Sequence, residues 1–213
     1  LEMDTTLAVV SERLSADADL LVAFEAAYGE GPSQSSVPRA LAAFVRTLVS
    51  GDSRWDRFRR GDTRALSAAE QRGHELFNGE RAECFHCHVG FNLTTNAFRN
   101  NGVAPDDPDA GRQLISSRSI DAGRFRVPSL RNVAVTAPYM HDGSLATLEE
   151  VVEHYAAGGR GHPNTDPLIL PLDLSAREKA DLVAFLRALT DEAFLTDTRF
   201  AAPAAPAGEA PVP

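Results

Sequence analysis

Cysteine is almost missing from this chain, which has two in 213 residues. A structural zinc site normally takes four ligands, often two cysteine pairs, and the second pair is lacking. Basic charge is also short: 21 Lys and Arg face 30 Asp and Glu, a formal net charge of -9. That balance argues against nucleic acid as a partner and is otherwise read as a solvated acidic surface. No apolar run approaches the length of a membrane-spanning helix. No alternation of strand and helix patterns is visible, which removes the setting of a thioredoxin-like redox pair. Nor does a charged-then-apolar leader open the chain, and Leu1-Glu2-Met3-Asp4-Thr5-Thr6 reads like the middle of a domain. The expectation is a chain that begins after processing or truncation. The remaining composition, 43% hydrophobic and 24% charged, suits a globular protein of one large or two small domains.

Both cysteines stand in Cys84-Phe85-His86-Cys87-His88. C-x-x-C-H is the signature of covalent haem c attachment. Thiols at this spacing lie on one turn and can add to the two vinyl groups of one haem, while the next histidine falls beneath the iron as proximal ligand. A disulfide across two residues is awkward and leaves His88 unexplained. His86 and His88 are too close to the cysteines to complete a zinc finger of ordinary spacing. Haem c is therefore the expected cofactor, held by Cys84, Cys87 and His88. In bacteria its attachment takes place outside the cytoplasm, so the expected location is periplasmic.

Periodicity predicts a mainly α protein. Leu7, Val10 and Leu14, then Leu20, Leu21, Phe24 and Tyr28, recur at helical spacing and predict two short helices, the second ended by residues 29–32. Val37, Leu41, Phe44, Val45 and Leu48 form an unbroken apolar face, predicting a helix from Ser36 to about Val49 whose packing in a core explains the face. Gly51, Gly61 and a cluster of Arg and Asp interrupt the pattern over residues 50–63, read as a boundary. Trp55 lies there and is read as packing a linker rather than relaying electrons.

Three capping boxes come next. Ser67-x-x-Glu70 opens a helix with Ala69, Gly73, Leu76 and Phe77 on one face, Gly73 permitting a close crossing. Thr147-x-x-Glu150 opens a helix with Leu148, Val151, Val152 and Tyr155 facing inward and His154 outward, a solvated partner of Glu150. Ser175-x-x-Glu178 opens a helix that buries Leu182, Phe185, Leu186 and Leu189. Residues 89–135, rich in Gly, Pro, Asn and Asp, are read as loop wrapping the haem edge. The Ala/Pro tail over residues 201–213 is expected to be disordered.

A helix ending in Gly-x-x-Leu-Phe, the haem motif behind it, and a last helix with Leu and Phe on one face together resemble a class I cytochrome c domain. Downstream, Val127-Pro128-Ser129-Leu130-Arg131-Asn132-Val133 leads to Thr136-Ala137-Pro138-Tyr139-Met140-His141-Asp142-Gly143 and then Thr147-Leu148-Glu149-Glu150-Val151. These segments resemble the second haem domain of the bacterial di-haem cytochrome c peroxidase family, which includes the MauG-like enzymes. Leu41-Ala42-Ala43-Phe44, Thr47-Leu48-Val49-Ser50-Gly51-Asp52-Ser53 and Arg60-Gly61-Asp62 are similar to the end of that family's first haem domain. The resemblance implies a class I cytochrome c domain over residues 63–200. Residues 1–62 would be the C-terminal part of the first, peroxidatic haem domain and a linker, a helical remnant of a second cytochrome c-like domain. The family carries two haems, and its first C-x-x-C-H lies upstream of this chain's start. A second haem, with the missing N-terminal haem domain, is thus expected upstream or in another chain, this one matching roughly the last two-thirds of a family member.

Three residues are candidates for the distal iron ligand: Met140, His141 and Tyr155. Residue chemistry favours methionine, because Met/His pairs are common in electron-transfer cytochromes and raise the potential. The resemblance points to Tyr155, at the position that supplies a methionine in the peroxidases and a tyrosine in MauG-like members. An anionic oxygen ligand there would lower the potential and stabilise oxidised iron. The resemblance further implies Glu2, in a segment like the end of the family's Asn-Pro-x-Glu-Met, as a carboxylate over the peroxide-binding haem. It implies the backbone oxygens of Thr136 and Pro138 as ligands of a calcium ion between the haem domains. Arg118 and Arg131 are candidates to pair haem propionates. One departure concerns the tryptophan through which MauG-type enzymes pass oxidising equivalents to a partner: it is Ala82 here, which puts the quinone-forming activity in doubt. The activity implied is a haem c oxidoreductase of the di-haem peroxidase type, using hydrogen peroxide, with an electron-donor protein or protein substrate. This haem would store or relay the oxidising equivalents. The competing reading is a single-haem periplasmic electron-transfer cytochrome.

Overall fold

The computed structural model describes residues 5–201; Glu2 and residues 202–213 of the Ala/Pro tail lie outside the described residues. The chain forms two compact units that divide in sequence between Val49 and Ser50. Helix dominates both, as the periodicity predicts. No described helix is long and apolar enough to cross a membrane.

The first unit holds α1 (Leu7–Ser15), α2 (Ala18–Tyr28) and α3 (Ser36–Thr47). Side-chain oxygens of Thr6 and Asp17 accept the free N–H groups that open α1 and α2. Gly29, at φ 72, closes α2 with the left-handed residue that ends helices cheaply only as glycine. Ser36 anchors the start of α3, its hydroxyl donating to the Gly31 carbonyl at 2.9 Å. Pro38 sits in the first turn, where its missing N–H has no partner to lose.

Core packing does not account for the α3 face within this unit. Val37 is buried, but Leu41, Phe44, Val45 and Leu48 are 60, 50, 62 and 38% exposed. A 3.6-residue apolar stripe states that a face favours burial, not what buries it.

The second unit contains α4 (Arg54–Arg59), α5 (Ala68–Phe77), α6 (Gln113–Ser116), α7 (Leu148–Ala156), α8 (Ala176–Arg187) and α9 (Glu192–Leu195). A two-residue ribbon pairs β1 (Phe98–Arg99) antiparallel with β2 (Phe125–Arg126). The capping boxes of α5, α7 and α8 are all formed. A fourth opens α4, where Ser53 and Asp56 exchange hydrogen bonds. Residues 50–62 therefore group with the second unit, and Trp55 belongs to the main core, 5% exposed with Phe185 edge-on at 6.5 Å. Two guanidinium groups flank the indole, Arg59 at 5.0 Å and Arg131 at 5.8 Å from its centroid.

Packing centres on the crossing of α5 and α8. Gly73 makes it possible: a methyl group there would sit 2.0 Å from the Asp181 carbonyl oxygen and 2.8 Å from Phe185 Cβ. On one side of the crossing, Arg72 clamps the Asp181 carboxylate through Nε and Nη2 at 2.7 and 2.8 Å. On the other, Phe185, fully buried, meets Phe77 at 5.1 Å and His74 at 5.3 Å, both edge-on.

Polar ties hold the loops to this core. Asp191 Oδ2 accepts from the Gly51 and Asp52 N–H groups, each at 2.8 Å, and Asn132 Oδ1 accepts the Asp191 N–H at 2.8 Å. Asp56 and Arg131 form a buried two-point ion pair at 2.9 and 3.0 Å. Burial alone would push the Asp56 carboxyl up, but the Arg131 guanidinium and Ser53 outweigh it and hold the pKa below its ordinary value.

Gly73→Ala should therefore cost about 3 kcal/mol or more, the upper range for overpacking. In urea unfolding of the haem-loaded protein this appears as a lowered midpoint, and in a thermal scan as a drop of roughly 6–12 °C; an unchanged midpoint refutes the crossing argument. A second expectation concerns acid. Burial lowers the His74 pKa below its ordinary value of about 6.5, Glu75 opposing and Arg59 adding to the shift. Below that pH the unfolded chain takes up a proton that the folded state resists, so stability falls as pH drops through 6.5 toward the depressed folded value. His74→Leu should flatten part of this loss in urea midpoints measured between about pH 7 and 5; parallel wild-type and variant curves would contradict it.

Candidate haem-attachment site

Cys84 and Cys87 lie on one tight turn, the 3-10 segment Cys84–His86, seven residues beyond the end of α5. Both thiols are free. Burial pushes the Cys84 thiol up to about 12 and also raises that of Cys87. A redox pair works through lowered thiol pKa values, so these thiols have the opposite character from a thioredoxin-like motif. Among the described residues no group of three or more His, Cys, Asp or Glu side chains is arranged to hold a metal ion.

His88 is oriented by the chain itself. Its Nδ1 lies 3.0 Å from the Leu93 carbonyl, an acceptor that fixes the N–H on Nδ1 and leaves Nε2 with the lone pair a metal needs. Leu93 holds φ 50, a left-handed conformation costing a non-glycine residue about 1–2 kcal/mol. Burial lowers the His88 pKa, with the Leu93 and Pro128 backbone oxygens working the other way, and so favours the neutral ring, the form that binds iron.

The three distal candidates separate. His141 is engaged elsewhere: Nε2 meets Asp107 Oδ2 at 2.9 Å and the ring stacks on Phe125 at 3.8 Å. Tyr155, on the inner face of α7, lies within the electrostatic reach of both thiols. Burial raises its pKa, while the hydrogen bond from Asn101 works the other way. Asn101 Nδ2 stands 3.1 Å from Tyr155 Oη and 3.3 Å from Met140 Sδ. Both remaining candidates thus share one donor.

Two expectations about neighbouring residues are corrected. His154 is not solvated beside Glu150: it is 7% exposed and its Nε2 lies 2.9 Å from the Asn101 carbonyl. Glu150 is occupied by its own cap, Oε2 accepting from Ala146 and Thr147 N–H groups. Arg131 is no free propionate partner, since Asp56 and the Phe91 carbonyl take its donors. Arg118 lies exposed near Asp121.

Arg99 is the basic residue that sequence reading missed. It lies near Cys87, bonds Asp166 through Nη1 at 2.7 Å, and its buried Nε has no protein acceptor among the described residues. A buried cationic donor beside the attachment turn fits a carboxylate such as a haem propionate. Thr136 and Pro138 flank Ala137 on an exposed loop, their side chains contributing no charge.

The first 64 residues match the family model described as di-haem cytochrome c peroxidase. Over 195 residues the chain is 40% identical to the methylamine utilization protein MauG of Methylorubrum extorquens, covering 90% of this chain and 55% of that protein. The cytochrome c peroxidase Ccp of Escherichia coli is 33% identical over 187 residues, covering 83% of this chain and 37% of Ccp. Among solved structures, a MauG-like protein associated with microbial copper homeostasis superposes with a TM-score of 0.84 at 41% identity, covering 93% of this chain and 66% of the other. The chain spans about half the length of the curated relatives it matches. With the helix crossing, the C-x-x-C-H turn and these matches together, this chain belongs to the di-haem cytochrome c peroxidase and MauG-like family.

Proposed function

We propose that this chain is the haem-bearing C-terminal part of a periplasmic di-haem oxidoreductase that uses hydrogen peroxide. Cys84 and Cys87 would anchor haem c covalently and His88 would be its proximal ligand, with Tyr155 as the distal one. Residues 63–200 would form the class I cytochrome c domain, and residues 1–62 the end of the peroxidatic domain with a linker, of which residues 50–62 pack with the second unit. The second haem would lie in a part of the protein beyond this chain. Haem c supplies one-electron chemistry at iron, and an anionic oxygen ligand biases that iron toward its oxidised form.

The observation that carries the reading is the Asn101 hydrogen bond to Tyr155 Oη on a helix face near both thiols. It gives the phenol oxygen a polar donor, which suits an oxygen that works as a ligand. The Leu93 carbonyl orients His88, and Arg99 Nε would donate to a propionate. Calcium on the backbone oxygens of Thr136 and Pro138, and proton transfer by Glu2, complete the proposal by family resemblance.

Ala82 is 7% exposed and part of the core. An alanine there supplies neither the ring nor the surface that passing oxidising equivalents to a partner would require. The reductant or protein substrate would therefore exchange electrons by another route. Met140, held by the same Asn101 amide, keeps the electron-transfer cytochrome as the second reading.

Tyr155→Phe should change the ferric absorption spectrum and spin state of this haem; identical spectra would remove tyrosine from the iron. The full-length protein should carry two haems by intact mass and the reduced pyridine complex. One haem would reduce the role of this chain to electron transfer.

A further inference from the structure

We propose that Asn101 is the positioning residue that selects the distal iron ligand, its single side-chain amide keeping Tyr155 Oη in place while engaging Met140 Sδ. The inference rests on the reading of Tyr155 as a ligand. A thioether sulphur only accepts hydrogen bonds, so the amide must turn Nδ2 rather than Oδ1 toward Met140. The same nitrogen is 3.1 Å from Tyr155 Oη and 3.3 Å from Met140 Sδ, and its two N–H groups can serve both at once.

The backbone that carries the amide is fixed independently. His154 Nε2 donates to the Asn101 carbonyl at 2.9 Å, Gly102 N–H donates to Asn100 Oδ1 at 2.8 Å, and Arg160 N–H donates to the Gly102 carbonyl at 2.7 Å. His154 and Tyr155 are consecutive on α7, so one helix holds the Asn101 backbone and presents the oxygen that its side chain meets. Met140 comes from a separate loop, at φ 71, where Tyr139 N–H donates to the Leu145 carbonyl at 2.7 Å. Substituting the Asn101 side chain leaves all these backbone bonds in place. It frees the sulphur and takes from the phenol oxygen its amide donor. A freed thioether is the ligand that raises a haem potential.

The test is redox titration and ferric-state spectroscopy of the haem-loaded, full-length protein with Asn101→Leu, Asn101→Ala, and each combined with Met140→Leu. Asn101→Leu should shift the ferrous-to-ferric ratio of this haem at least about tenfold toward ferrous at fixed ambient potential, about 59 mV for a one-electron couple. The ferric spectrum should change with it, and adding Met140→Leu should cancel the rise. Asn101→Ala gives the same reading if the leucine variant loads haem poorly. Wild-type potential and spectrum in both Asn101 variants overturn the proposal, as does a rise that persists without the Met140 sulphur. Tyr155→Phe measured in parallel separates the two levels. If it leaves the ferric spectrum unchanged, the ligand reading itself fails; if it alters the spectrum while the Asn101 variants are silent, only the role of Asn101 fails.

Discussion

The second unit depends on one missing side chain. Because residue 73 is glycine, α5 and α8 approach until the Asp181 carbonyl occupies the space a β-carbon would need. That approach brings Phe77 and Phe185 into edge contact and puts Arg72 within reach of Asp181. The attachment turn comes after α5 with six residues between, so the position of both thiols is inherited from this crossing. Rigid scaffold and reactive turn are one continuous piece of chain.

The loops beyond the turn carry no such scaffold of their own, and their order comes from polar ties. Leu93 gives its carbonyl to His88, Asp191 gathers the residues that open the unit, and Asn101 joins the loop of residue 140 to α7. Left-handed backbone at Leu93, Asn132 and Met140 recurs at these junctions. Non-glycine residues persist in that region only where surrounding contacts over-determine them, and such sites concentrate where ligands are held.

What was legible in the sequence was local. The capping boxes at Ser67, Thr147 and Ser175, the inward face of α8 and the close crossing at Gly73 all follow from spacings within one helix. The C-x-x-C-H turn was legible for the same reason. Asp56 in place of a glutamate, on a helix of six residues, hid the box that opens α4. His154 was misread because its i,i+4 spacing from Glu150 is a true pattern, but the cap had already claimed that carboxylate. The face of α3 was legible as apolar, while its covering surface is not written in its own periodicity. Asn101 was invisible for a topological reason: its partners lie 39 and 54 residues away, across loops whose sequence has no period.

The surroundings of Trp55 set the charge environment in which its ring would have to lose an electron. Indole is among the side chains that surrender an electron most readily, and this sequence has a single one, set in the core against Phe185. With Arg59 and Arg131 flanking the ring, an electron leaving it would create positive charge beside two guanidinium groups. The two neighbours are not alike: Arg131 carries its own counter-charge, the buried Asp56 carboxylate, whereas Arg59 lies exposed to solvent. The ring at the centre of the core thus has one solvated cation and one internally balanced ion pair beside it, a neighbourhood close to neutral in charge.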